Sequence, residues 1–228
     1  MMTDVLVAHS SDVEKASFYK KTYLHVAFAI LAFIGVETVL LNIVPEQLIL
    51  AMFAQRYLWL LIIGVFWLAS FLATKWSLSQ SKSTQYMGLG FYVLLEAVIF
   101  LPLIYIAVVY AGGSVIFQAA TLTVAMFAGI SAVAFTSKRD FSFLRNIITI
   151  GGFIAIGLIV AGMIFGFNLG LWFSVGMVIL ASATILYQTS KLKDAYVTDQ
   201  YVGASLQLFA SIMLLFWYIL SILMSRRS

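Results

Sequence analysis

The stretch Phe91–Ile106 reads FYVLLEAVIFLPLIYI, and its single carboxylate, Glu96, has no basic residue within ten positions on either side. A charge at the centre of a bilayer costs at least ~2.5–3.5 kcal/mol. That leaves Glu96 three roles: to hold a proton, to meet a cation in a wet cavity, or to hydrogen-bond a neighbouring helix. Glu37, in Ile34–Asn42 (IGVETVLLN), is a second carboxylate in an apolar run, with Asn42 nearer its end. Gln118, Gln188, Gln207, Ser205 and Ser211 add neutral polar groups in later apolar runs, and Gln207 and Ser211, four apart, share a helix face. Other chemistry is excluded. There is no cysteine, so no disulfide or thiolate site. No GxxxxGKS/T, HExxH or GxSxG pattern occurs. His9 and His25 have no partner at metal-ligand spacing, and Ser142 in KRDFSFLR reads as a loop or capping serine.

The elements that must position these groups follow from composition. Of the 228 residues 63% are hydrophobic and 10% charged, against roughly 25% charged in a soluble domain. Seven apolar segments reach the roughly 20 residues a spanning helix needs: Thr22–Val44, Tyr57–Thr74, Tyr86–Tyr110, Ser114–Thr136, Leu144–Phe167, Leu169–Ser190 and Tyr201–Met224. The runs are continuous rather than alternating, which predicts helices and not a barrel. The expectation is an all-α integral membrane protein with seven transmembrane helices over 22–224, an N-terminal tail over 1–21 and a short C-terminal tail over 225–228. Within the third span, Pro102 frees a carbonyl near Val98, and that loosened turn is expected to line the same cavity as Glu96. The small-residue pairs Ala125/Gly129 and Gly162/Gly166 predict close helix packing.

Basic residues set the expected direction. Lys15, Lys20, Lys21, Lys75, Lys82, Lys138, Arg139, Arg145, Lys191 and Lys193 fall on the N-terminal side, and Arg56, Arg226 and Arg227 on the other. The positive-inside rule then places the N-terminus in the cytoplasm and the C-terminus outside, in a bacterial inner membrane. The net charge of +4 reads as topology rather than nucleic-acid binding. The partner expected throughout is membrane lipid.

A seven-span chain invites comparison with the rhodopsins, but the last span, Tyr201–Met224, has no lysine for a retinal Schiff base. Three other segments are more telling: TSKRDFSFL (Thr136–Leu144), ILYQTSKL (Ile185–Leu192) and the final span opening YVGASLQLF. With these the chain resembles the Bax-inhibitor family, also called the transmembrane BAX inhibitor motif family, and its bacterial YccA-like branch. The resemblance implies a seven-helix bundle with the last helix central and ringed by the other six. It also implies, in some members, a pH-dependent calcium leak governed by two acids that share a proton. Those acid positions fall here on Gln188 and Ser211, which do not titrate. The resemblance therefore predicts either a neutral Gln188–Ser211 latch or none, with Lys75 standing where the family has a basic latch partner.

Two functions are expected on this basis. One is a cation leak in which Glu96 and Glu37 supply oxygens to calcium as the permeant ion, with no resident cofactor. The other, implied by YccA-like relatives, is a non-conducting modulator and substrate of a membrane-anchored ATP-dependent protease, with the tail MMTDVLVAHSSDVEK as a handle. An intramembrane aspartyl enzyme is not expected, since no aspartate lies in any span. Oligomeric state is not set by these residues.

Overall fold

The computed structural model describes residues 5–226, all helices and connections. Seven helices are long and apolar enough to cross a membrane: α1 (Asp12–Ile43), α3 (Arg56–Ser77), α4 (Lys82–Val109), α5 (Ser114–Thr136), α6 (Leu144–Phe165), α7 (Gly170–Lys191) and α8 (Tyr201–Ser225). Between α1 and α3 lies α2 (Glu46–Ala54), nine residues, which the sequence reading leaves as a connector.

The starts and stops have local causes. Ser11 and Glu14 form a capping box, Glu14 N–H donating to Ser11 Oγ (3.3 Å) and Ser11 N–H to Glu14 Oε2 (2.8 Å). This starts α1 ten residues before the predicted Thr22. Gly166, with φ 76°, closes α6 in the left-handed conformation that a glycine adopts without strain. Pro102 does not interrupt α4. In the loop before α6, Ser142 donates through its N–H (2.8 Å) and hydroxyl (2.6 Å) to Asp140 Oδ1, as expected of a loop serine. Both bonds favour the ionised carboxylate and hold Asp140 below the usual range.

α8 is the central helix, packed against α1, α3, α4, α5 and α7. The expected ring of six is a ring of five, because α6 lies outside and touches only α7 and α3 among the described residues. Close approach falls elsewhere than on Ala125/Gly129. A Cβ on Gly129 would meet nothing within 4 Å. A Cβ on Gly88 of α4 would lie 2.6 Å from Ala73 O and Ser77 N, and one on Gly203 of α8 would lie 2.7 Å from Ser77 O. The end of α3 is thus wedged against backbone between α4 and α8, and this fixes the rotation of both about their axes. Gly88 precedes Glu96 by eight residues, about 12 Å along the helix.

The N-terminal segment is not a free tail from Val5 onward. Leu6 pairs antiparallel with Val197, Val7 N–H donates to Tyr196 O (2.9 Å), and Thr198 N–H to Val5 O (3.1 Å). Val7 is wholly buried among Phe18, Leu192, Ala204 and Leu208. The Val5–Val7 part of the proposed handle is therefore docked on the α7–α8 connection; residues 1–4 lie outside the described residues. In that connection Lys193 Nζ donates to the carbonyls of Ala134, Phe135 and Ser137 (2.5, 3.2 and 3.2 Å), serving the unpaired end of α5.

Candidate functional site: a polar cavity beside the central helix

Of the polar residues singled out in the sequence, Glu96, Gln188, Gln207 and Ser211 line one cavity of about 300 Å³ between α3, α4, α7 and α8. Glu96, 5% exposed, points inward rather than to lipid. Each of three helices contributes two polar residues one turn apart. From α4 come Tyr92 and Glu96, from α7 Thr184 and Gln188, and from α8 Gln207 and Ser211. The i, i+4 spacing makes each pair a single face. Tyr92 and Thr184 are the residues the sequence reading missed, though both stand at the spacing that signals them. Of the turn that Pro102 loosens, Ile99 and Phe100 line the cavity, while Val98 and Pro102 do not. The rest of the wall is apolar, with Phe66, Phe100 and Trp217 prominent.

The hydrogen bonds decide what the cavity presents. Ser211 donates to Gln207 O (2.8 Å), and Thr184 to Leu180 O (2.8 Å), each on its own helix. The expected latch between Ser211 and Gln188 is not formed. Because both hydroxyls spend their protons on backbone, their remaining lone pairs face the cavity as acceptors. The Tyr92 hydroxyl lies beside the Glu96 carboxyl. The two amides add oxygens that accept and N–H groups that donate, so the site offers several acceptors, and some donors, around one carboxyl. Among the described residues no three His, Cys, Asp or Glu side chains converge. A metal here would be held by one carboxylate and neutral oxygens.

Glu37 stands apart. It is 4% exposed, neither carboxyl oxygen has a partner, and it lines a second cavity of about 290 Å³ between α1, α4, α5 and α8. Apart from Thr38 and Thr123, that chamber is apolar. Phe100 faces the Glu96 cavity, while Phe33 and Phe216 face the Glu37 cavity. These three rings are in mutual contact around Phe100 and form the partition. Asn42 donates back to Thr38 O (2.7 Å) at the end of α1.

At the end of the bundle where the basic residues gather, Lys82 bridges to Asp199 (2.7 Å) and lies over the Tyr201 ring at 4.0 Å. Lys75, expected as a latch partner, is exposed and in none of the ion pairs among the described residues. His25 Nδ1 sits 2.7 Å from Lys21 O and Nε2 3.0 Å from Tyr86 Oη. A carbonyl only accepts, so Nδ1 carries a proton, and Nε2 is hydrogen-bonded to the tyrosine hydroxyl. These contacts tie α1, α4 and α8 together at the mouth of the bundle.

Comparison with known proteins fits this architecture. An uncharacterised protein of Pseudomonas aeruginosa is 39% identical over 112 residues, covering 49% of this chain and 50% of that one. An uncharacterised membrane protein of Vibrio cholerae is 36% identical over 113 residues, again 49% and 50% of the two chains. A protein of Neisseria meningitidis is 32% identical over 115 residues, half of each. The chain spans about half the length of the curated relatives it matches. The family model described as inhibitor of apoptosis-promoting Bax1 matches residues 15–228. With seven membrane-length helices among the described residues, the last of them central, this multi-pass membrane protein belongs to the Bax inhibitor family.

Proposed function

We propose that the protein is a cation leak pathway of the bacterial inner membrane, with calcium as the ion its oxygen-rich cavity suits and Glu96 as the charged ligand. The observation that carries this reading is the convergence of Glu96, Gln188, Gln207, Ser211, Tyr92 and Thr184 on one cavity whose hydroxyls and amides offer acceptors. Calcium takes about six to eight oxygens. A single carboxylate with neutral oxygens and water binds it loosely, and loose binding suits passage rather than storage. A second hollow of about 430 Å³ shares Tyr92, Gln207 and Ala210 with the cavity and reaches Thr74, toward the basic end. The positive-inside rule makes that end cytoplasmic. With no titratable pair at Gln188 and Ser211, flux lacks the proton gating that the family resemblance implies elsewhere.

The test is calcium flux in proteoliposomes, wild type against Glu96→Gln. The reading expects wild-type flux at least tenfold above that of the variant. Equal flux removes Glu96 from the pathway, and no flux from either protein ends the leak reading.

A further inference from the structure

A roomier cavity lies beside the polar one. A groove of about 780 Å³ runs along α3, α6, α7 and α8, from the Asn168–Gly170 turn inward. It is almost wholly apolar. Its rim residues Ile156 and Leu171 are 48% and 45% exposed, on the surface that bilayer lipid covers. Among the described residues the backbone of α6 packs on α7 and slightly on α3, which leaves a seam between α3 and α6. Small residues, Gly152 and Ala155, form part of its lining.

The inner end of this groove is the outer wall of the Glu96 cavity. Phe66, Ile99, Thr184, Leu214 and Trp217 line both. The two spaces therefore adjoin across these shared side chains and together form an amphipathic volume, apolar at the lipid-facing end and carrying a carboxyl among polar groups at the other. We infer that this volume is a binding site for a single-chain alkylammonium amphiphile, its tail in the α3–α6 groove and its ammonium head against Glu96, Gln188 and Gln207. The inference rests on the reading of the cavity as a cation site and names a second cation class for it.

Charge and donor balance select this occupant. An ammonium brings a positive charge and three donors, which suit the Glu96 carboxyl, the two amide oxygens and the Thr184 and Ser211 hydroxyls, whose own protons go to backbone carbonyls. A fatty-acid carboxylate could accept from the Gln188 and Gln207 amides, but it would set a second negative charge beside Glu96. A neutral alcohol brings one donor and no charge. An uncharged amine meeting a protonated Glu96 gives the same pair, one proton passing from carboxyl oxygen to nitrogen. The tail gains little by leaving lipid for an equally apolar groove. Its part is to deliver the head to this depth, so discrimination must come from the head.

The experiment compares dodecylamine, dodecanol and methylamine binding to the full chain in lipid nanodiscs by native mass spectrometry. Dodecylamine is expected to bind at least tenfold tighter than dodecanol and methylamine, and Glu96→Gln to bring dodecylamine and dodecanol to parity. Gly152→Phe, whose new side chain starts from a Cβ with nothing within 4 Å, is expected to weaken dodecylamine binding tenfold by filling the groove. Ile63→Trp does the same from the α3 wall and serves if the first variant does not fold. Equal binding of amine and alcohol to wild type overturns the inference, and so does dodecylamine binding that neither groove variant weakens. Calcium binding measured on the same wild-type and Glu96→Gln samples separates the two readings. Glu96-dependent calcium binding without head-group discrimination leaves the cation site and removes the amphiphile. Glu96-dependent dodecylamine binding without calcium does the reverse.

Discussion

Phe100 stacks on Phe216 with centroids 5.8 Å apart and ring planes 5° from parallel, and this pair stands between the chambers that hold Glu96 and Glu37. Phe33 meets Phe100 edge-on at 5.3 Å and Trp217 meets it at 4.9 Å, so Phe100 is braced from α1 and from α8. A route using both carboxylates has to pass this layer. Phe100→Ala is expected to join the chambers and raise calcium flux, while lowering unfolding stability by about 3–5 kcal/mol. Flux unchanged in a folded Phe100→Ala protein would show that ions do not cross there.

Glu37 buries two carboxyl oxygens with no partner in an apolar chamber. A buried polar group left unsatisfied costs about 1–3 kcal/mol, and an apolar residue of similar size removes that cost. Glu37→Leu is therefore expected to raise the thermal midpoint of the detergent-solubilised protein. A lower midpoint would mean that Glu37 has a stabilising partner, such as a bound ion or water.

Val7 closes the basic end by filling a pocket beneath the α7–α8 connection. Removing residues 2–12 takes away that plug and the Ser11 cap of α1 together. A tail that serves as a protease handle predicts a longer cellular lifetime after this deletion. The docked geometry predicts a shorter one, with a lowered unfolding midpoint. Val7→Asp, which leaves the chain length alone, is expected to lower the midpoint as well. Pulse-chase lifetimes and thermal unfolding of both variants decide the matter.

Gly88 has backbone of α3 at 2.6 Å from where a Cβ would stand. Gly88→Ala has no flexible neighbour to move aside and is expected to cost about 1–3 kcal/mol. It also pushes α4 from α3 below Glu96, so cation flux should fall with stability. Gly129→Ala, in open space, is expected to leave both unchanged. Equal effects of the two changes would contradict the packing described here.

Much of this was legible in residue spacing. Continuous apolar runs mark seven spans, because a helix that satisfies its own backbone in lipid leaves no alternation to read. Glu96 could be singled out because a lone acid in such a run demands an inward face. The same periodicity links Tyr92 to Glu96 and Thr184 to Gln188, just as it links Gln207 to Ser211, although only the last pair was drawn from it. What spacing does not carry is the rotation of one helix against another. Gly88 and Gly203 look no different in sequence from Gly129, and only the position of Ser77 makes them indispensable. The early start of α1 is written in Ser11 and Glu14. The docking of Val7 depends on a pairing with residue 197, which no local pattern reveals.

The central claim is that Glu96 itself meets the cation. Calcium-induced infrared difference spectra of the protein in liposomes, wild type against Glu96→Gln, test it most directly. The account predicts that calcium shifts a carboxyl band in wild type and in Glu37→Gln, and that the shift vanishes in Glu96→Gln. A calcium-induced band that survives in Glu96→Gln, or none in wild type, would contradict it.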